Sequence, residues 1–394
     1  MREYNEDTIR FISENLNTDI NALLLSAKKY PDIDIAFCAE QIASRKQIKD
    51  KLPLWYDNIN LWFPAKITTE QCSSEQTALY KQRLCSGNSG CDMTGGLGID
   101  SFYISRNFKT FSYMERYELY CEAAVNNFRE LGADNITVLN GNSLDLIDQL
   151  ESLDLIYLDP ARRSDCNKRL YDLTECEPDI VSLAPKLLSK ASKVIVKVSP
   201  MADINRCLEL LPQTKEVHVL SVKNECKELL LVLTPEIAKE DVKIHCVNFS
   251  TNGEQNLIFS YNDEKKSMLR VVNIVDKYLY EPNASVMKAG AFKYVAEKFG
   301  LKKLHQHSHL YTSDKLINEF PGRSFEVIKT DPFTKKWLQT VAKETPKANL
   351  ATRNFPLTVA DIRKRSKLAE GGSLYLFATT LGDDQKVIIR CEKI

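Results

Sequence analysis

The stretch Cys91-Asp92-Met93-Thr94-Gly95-Gly96-Leu97-Gly98-Ile99-Asp100 constrains the fold more than any other part of the chain. Glycines gathered just before a helix-forming run let backbone amides at a helix N-terminus approach a ligand closely. Glu115 follows, ending Phe111-Ser-Tyr-Met-Glu115, and Asp159 ends Leu155-Ile-Tyr-Leu-Asp159 before Pro160. A carboxylate at the end of a second strand can accept both hydroxyls of a ribose. Glycine loop, acidic strand end and Asp-Pro step thus occur in the order that a nucleoside-bearing ligand needs. The Asp-Pro step then sits at the rim where a substrate atom would meet that ligand.

Around this loop strands and helices alternate, which makes the fold class α/β. Strands are expected at 88–92, 110–116, 135–140, 153–159, 193–199, 216–222 and 228–234, with helices at 98–107, 117–131, 178–190 and 202–211. Val194-Ile-Val-Lys-Val198 and Leu229-Leu-Leu-Val-Leu233 suit strands buried on both faces of a mostly parallel sheet. Only a few residues around Glu225-Cys226-Lys227 join the last two strands. A crossover helix does not fit there, so the final strand should run antiparallel. Asn88-Ser-Gly-Cys91 is poor strand material.

The flanks read differently. In residues 1–86, Ile9, Ile12, Leu16, Ile20, Leu23, Leu24 and Ala27 recur at helical spacing until Pro31, and a second helix is expected over 33–50. The aromatic stretch 54–64 should pack on something, and Ser73 with Gln76 has the spacing of a capping box. Beyond 237, strand-like pieces at 242–249, 257–261 and 268–272 precede a helix over 284–299. From Ser324 the pattern is strand, helix 334–343, strand, helix 358–370, then strands 374–380 and 386–391, an α+β arrangement. Thr358 can cap its helix and Gly371 can end it.

Composition narrows the function classes. Formal charge is zero, yet 301–370 holds 14 Lys and Arg against 7 Asp and Glu, a surface compatible with nucleic acid. None of the eleven cysteines forms a C-x-x-C pair, so zinc-ribbon and thioredoxin readings fail. No apolar run reaches the 18 or so residues of a membrane span, and Glu3, Glu6 and Asp7 break the pattern of a targeting peptide. The expectation is a soluble, cytoplasmic protein. His305, His307 and His309 would share one face of a strand, but no neighbouring Cys or acid completes a ligand set, so no metal is expected.

Seven strands ending in an antiparallel hairpin, the Gly-Gly-x-Gly loop after Asp92 and the acidic strand end resemble the class I S-adenosylmethionine-dependent methyltransferase fold over 88–234. That fold is a Rossmann-like seven-stranded sheet with its last strand antiparallel. The family's loop is an acidic residue followed by alternate glycines; Asp92, Gly96 and Gly98 match, and Thr94 replaces the first glycine. The resemblance implies cofactor binding by Asp92, Thr94, Gly95, Gly96 and Gly98, with Glu115 on the ribose. It also implies an adenine contact from Asn142, beside Ser143, although a simple turn at Asn140-Gly141 explains those residues about as well.

Asp159-Pro160-Ala161-Arg162-Arg163 is similar to the loop of amine methyltransferases acting on bases, where Asp or Asn is followed by Pro-Pro and an aromatic. This implies that Asp159 and the carbonyl of Pro160 orient the nucleophile and that Arg162 positions the substrate or its phosphate. The two arginines could equally tie the strand end to nearby acids. The uridine C5 methyltransferases have a similar Asp-Pro-Pro-Arg loop but need a cysteine after the next strand, where this chain has Val198-Ser199-Pro200-Met201.

Gln71-Cys-Ser-Ser-Glu-Gln-Thr77, Tyr280-Glu-Pro-Asn-Ala284, Ser308-His-Leu-Tyr-Thr-Ser-Asp314 and the basic C-terminal region extend the likeness to the whole chain. They resemble a bacterial family of class I methyltransferases with ferredoxin-like and THUMP-like C-terminal domains. The implied organisation is an N-terminal helical region (1–86), a cofactor domain (87–236), a β-rich connector with the ferredoxin-like domain (237–321) and a THUMP-like domain (322–394). THUMP modules are associated with RNA, mainly transfer RNA, so a base of transfer or ribosomal RNA is the implied substrate. Arg353, Phe355, Arg363, Lys364, Arg365 and Lys367 are the candidate RNA contacts, set against an ordinary solvated helix face. Two other readings keep the same core: a small-molecule or protein methyltransferase, and a non-catalytic RNA-binding protein with a vestigial cofactor pocket.

Overall fold

The computed structural model describes residues 4–162, 173–236 and 241–394, the side chains of 66–68 and 162 apart, so Arg163 lies outside the described residues. The chain divides into two compact units: residues 1–215 with 230–237, and 216–229 with 238–394.

The first unit holds strands β1 (Gly87–Asp92), β2 (Phe108–Glu115), β3 (Ile136–Asn140), β4 (Leu155–Leu158) and β5 (Val194–Val198), and shares β7 (Glu225–Leu233) with the second unit. Their order is β3-β2-β1-β4-β5-β7. β1 pairs parallel with β2 and with β4, placing Asp92 level with Tyr113 and with Tyr157. Glu115 and Asp159 therefore lie beyond the same edge as the glycine loop. Strand order reverses between β1 and β4, the switch point at which open α/β sheets take their ligands.

β1 is held by its pairing on both sides, and its neighbours leave no room for a side chain at its glycines. A Cβ at Gly87 would lie 2.5 Å from that of Asp154, whose carboxylate accepts from Asn88 N and Ser89 N at 2.6 and 3.0 Å. A Cβ at Gly90 would stand 3.0 Å from the Phe111 ring.

The N-terminal helices include Glu6–Glu14, Ile35–Ile48 and Glu75–Arg83. The aromatic stretch does pack: Trp55, Leu61 and Phe63 share a buried cluster with Phe102, Tyr113 and Phe128. Each such side chain contributes about 1.5–3 kcal/mol when fully buried. Arg45, fully buried, donates to the carbonyls of Asn58 (3.1 Å) and Ile59 (2.7 Å) and to that of Leu61. The expected capping box of Ser73 and Gln76 does not form. Ser74 caps Glu75–Arg83 by accepting from Thr77 N, which leaves Ser73 for the charge network described below.

In the second unit β6 (Thr214–Val222, counted from Glu216) and the first part of β7 form a hairpin. Its turn is Lys223-Asn224, both with positive φ (51° and 65°). A two-residue turn of this kind suits the twist of an antiparallel pair, so the direction expected for β7 holds, while the turn falls two residues earlier than expected. Within this unit β8 (Lys243–Ser250) pairs parallel with β6, and β9 (Gly253–Ser260) antiparallel with β8.

A second sheet contains β10 (Tyr278–Pro282), β11 (Lys302–Lys303), β12 (Tyr311–Ser313), β13 (Gly322–Pro332), β14 (Asn349–Arg353), β15 (Leu374–Thr380) and β16 (Lys386–Lys393), in the order β11-β12-β10-β13-β16-β15-β14. Three expectations change here. The strand-like piece 268–272 forms only an isolated bridge at Val271. The helix over 284–299 divides into Ala284–Ala289 and Phe292–Lys298 because Gly290 turns left-handed at φ 77°. The helix Val359–Ser366, capped by Thr358 as expected, ends at Lys367 (φ 60°) and not at Gly371.

Candidate active site

Asp92 ends β1 almost fully buried, and both its oxygens are used within the protein. Oδ1 accepts from Thr94 N (2.9 Å) and Thr94 Oγ1 (3.2 Å), and Oδ2 accepts from Ser101 Oγ at 2.6 Å. Burial pushes its carboxyl up to about 7 against those hydrogen bonds. The residue expected to touch a cofactor thus supports the loop from beneath. Gly95 and Gly98 serve packing: added Cβ atoms would lie 2.3 Å from the Tyr113 ring and 2.8 Å from the Phe128 ring. Gly96 takes φ 53° and gives its N–H to Glu115 Oε2 at 3.0 Å. Glu115 Oε1 accepts from Tyr117 N at 2.9 Å. Two backbone amides therefore fix the carboxylate at the end of β2.

Over this loop lies a cleft of about 330 Å³, within the size range of small-molecule sites. Of the sequence candidates, Thr94, Glu115, Asn142, Ser143 and Asp159 line it; Asp92, Gly95, Gly96, Gly98 and Pro160 do not. Asn142 Oδ1 already accepts from Leu144 N (3.0 Å), starting the short helix Ser143–Leu146. Arg162 is placed as backbone only, in a two-residue strand paired with Cys176–Glu177. The sequence reading missed Met93, Met114 and Leu144, which give apolar wall, and Arg116 with Glu177, a 2.9 Å ion pair between cleft-lining residues.

Asp159 is held twice. Its N–H donates to Thr94 Oγ1 at 2.6 Å, and its Oδ2 lies 2.7 Å from Lys197 Nζ. Behind Lys197 is a buried network. Asp100 Oδ1 pairs with Lys81 Nζ at 2.9 Å, and its Oδ2 accepts from Ser73 Oγ (2.8 Å) and Tyr157 OH (2.7 Å). Burial raises the Asp100 carboxyl, but Lys81 and Lys197, with hydrogen bonds from Lys81 and Tyr157, outweigh it and hold the group low. The signal available in the sequence was Lys197 itself, the one charge in Val-Ile-Val-Lys-Val.

Residues 278–321 match the model of a ferredoxin-like domain and 322–393 that of a THUMP domain-like family. The crystal structure of a "putative methyltransferase" from Porphyromonas gingivalis W83 is 35% identical, covers 98% of this chain and 97% of its own, and superposes with a TM-score of 0.90. This chain belongs to that family: class I methyltransferases with ferredoxin-like and THUMP-like C-terminal domains.

Other solved structures are similar to part of the chain. An O-methyltransferase from Bacillus cereus in complex with SAH is 14% identical over 42% of this chain and 83% of its own (TM-score 0.33). An rRNA methylase from Streptococcus thermophilus is 12% identical over 40% and 93% (TM-score 0.31). Likeness at this level carries no argument about activity. No curated protein matches the chain significantly.

In this family member, half of the candidate RNA contacts are occupied within the second unit. Arg353 donates to Thr352 O at 2.8 Å and pairs with Glu281 Oε1 at 2.5 Å. Phe355 packs edge-on to Phe333 at 4.9 Å. Arg363 donates to the carbonyls of Leu368 and Ala348, both at 3.2 Å. Lys364, Arg365 and Lys367 remain exposed.

His305, His307 and His309 occupy a turn and not a strand, with His309 at φ 51°. Elsewhere in the same unit Glu216, His218 and His245 place ligand atoms within 4.8 Å of one another. The two rings stack at 4.4 Å and 20°. Burial, and next the neighbouring His218, lowers His245 to about 4.

No helix among the described residues is long and apolar enough to cross a membrane.

Proposed function

We propose that this protein transfers a methyl group from S-adenosylmethionine to a base of structured RNA. The observation that carries the reading is the cleft at the switch point, where Thr94, Glu115, Asn142 and Asp159 come together from four segments. The cofactor fits this lining: Glu115 for the ribose hydroxyls, Asn142 and Ser143 for the base edge, and Met93, Met114 and Leu144 as apolar wall. When bound, it supplies a methyl already activated on a sulfonium, which leaves alignment to the protein. Alignment of that kind accounts for roughly 7–11 kcal/mol of a barrier. Asp159 Oδ1 has no hydrogen-bond partner among the described residues; it would accept the nucleophile's hydrogen, and Arg162 would position the substrate.

The RNA part of the reading is supported by the THUMP-like match and by exposed Lys364, Arg365 and Lys367. The internal partners of Arg353, Phe355 and Arg363 favour a second reading, a small-molecule or protein acceptor. The test is to incubate the protein with methyl-labelled cofactor and extract from cells lacking the gene, then digest with ribonuclease or protease. Label released only by ribonuclease supports the RNA reading. Label in protein or small molecules favours the second reading, and label in neither sinks both.

A further inference from the structure

Lys197 is the polar residue in the otherwise apolar strand β5, and its side chain is only 13% exposed. Its Nζ lies 2.7 Å from Asp159 Oδ2, 3.4 Å from Ser73 Oγ and 4.0 Å from Asp100 Oδ2, while Asp100 meets Lys81 at 2.9 Å. Charges therefore alternate inward from the cleft: Asp159, Lys197, Asp100, Lys81. Each interior charge has an opposite neighbour on both sides, and moving one would leave a buried partner uncompensated. Lys197 is tethered from behind by Asp100 and does not itself line the cleft. Asp159, at 42% exposed, faces that cleft. Its backbone is fixed by Thr94 and its carboxylate by Lys197.

We propose that Lys197 is the positioning residue of the site: by occupying Oδ2 it locks Asp159 in one orientation and presents Oδ1 alone to a hydrogen-bearing nucleophile. The Asp100–Lys81 pair fixes Lys197, so the N-terminal helix carrying Lys81 contributes to the site through this row of charges. The inference rests on the methyltransferase reading for its consequence, but not for the coupling itself.

The experiment compares full-length Lys197→Met, Lys197→Arg, Asp159→Asn and the Lys197→Met/Asp159→Asn double variant. Calorimetry with S-adenosylhomocysteine should give dissociation constants within about threefold of the parent, since Lys197 lies outside the cleft. In urea unfolding the two single substitutions should depart from additivity by about tenfold in the unfolding equilibrium constant. In the labelled-methyl assay, Lys197→Met should lower kcat about 100-fold with the cofactor KM nearly unchanged, and Lys197→Arg should restore most of it. Added to Asp159→Asn, Lys197→Met should cost nothing further, because it acts through Asp159.

Additive unfolding, an additive loss of kcat in the double variant, or cofactor binding that weakens in step with kcat would each overturn the proposal. If Lys197→Met does not fold, Lys197→Gln is judged by the same criteria. A parent protein that transfers no methyl would overturn the methyltransferase reading, while the unfolding cycle still decides whether Lys197 holds Asp159.

Discussion

Thr94 Oγ1 accepts the backbone N–H of Asp159 at 2.6 Å and is itself 3.2 Å from Asp92 Oδ1, to which it donates. One hydroxyl thus joins the glycine loop after β1 to the Asp-Pro step after β4. A glycine at 94, the residue usual in the family's loop, could make neither bond. Thr94→Val should leave the Asp159 amide unpaired and cost about 1–3 kcal/mol, whereas Thr94→Ser should cost less than half of that. Urea denaturation of both variants reads the difference, and equal stability would show the bridge to be unimportant.

Asp92 gives a pH dependence of definite sign. Its folded-state value is raised to about 7, against roughly 3.9 for a free Asp. Between those values the folded protein binds the extra proton, so this group's contribution to stability falls as pH rises from about 4 to about 7 and is flat above. Asp92→Asn keeps the shape and removes the charge. It should stabilise the protein at pH 8 relative to the parent, on the order of 1–3 kcal/mol, with the gain shrinking toward pH 5. Thermal unfolding at the two pH values checks the sign.

Glu115 is held by Gly96 N and Tyr117 N while lining the cleft. Glu115→Gln removes the charge that strengthens these and any ribose hydrogen bonds, each worth about 1.5–3 kcal/mol. Calorimetry should show S-adenosylhomocysteine binding weakened at least about tenfold. Unchanged binding would remove Glu115 from the cofactor site.

Lys81 is fully buried against Asp100. Lys81→Met leaves Asp100 with fewer cations and should destabilise the fold by about 3–5 kcal/mol, the usual cost of breaking a buried pair from one side. The double variant Lys81→Met/Asp100→Leu should recover much of that loss. Chemical denaturation distinguishes this from a surface pair, whose removal costs under about 1 kcal/mol.

Lys364, Arg365 and Lys367 are the exposed remainder of the basic candidates. Replacing all three with Ala should weaken RNA binding similarly across sequences and reduce the salt slope by about 2–3. Arg363→Ala, which loses the bonds to Leu368 O and Ala348 O, should lower stability. An unchanged salt slope for the triple variant would exclude this face.

Much of the architecture is legible in the sequence because its signals are local. Apolar runs mark buried strands, as in Val194–Val198, and helix capping at Thr358 follows from one residue and its third neighbour. Spacing also failed in particular places. The alternation of His305, His307 and His309 suggested a strand where a left-handed residue makes a turn. Ser73 had the spacing of a cap, yet Asp100 and Lys81 claim its hydroxyl and Ser74 takes the cap. β1 reads as loop because its glycines answer to Asp154 and Phe111, residues of other segments.

The sequence alone determined the glycine loop, the acidic end of β2 and the Asp-Pro step, since chain geometry and residue chemistry within a few positions specify them. Tertiary structure alone decided that Asp92 faces inward, that Thr94 meets Asp159, and that Arg353, Phe355 and Arg363 are spent on internal contacts. It also decided that Lys197 reaches Asp159 across 38 residues. The physical reason is that local pattern encodes backbone form and burial, whereas the partner of a buried charge depends on which strands are neighbours. Here the order β1-β4-β5 supplies those neighbours.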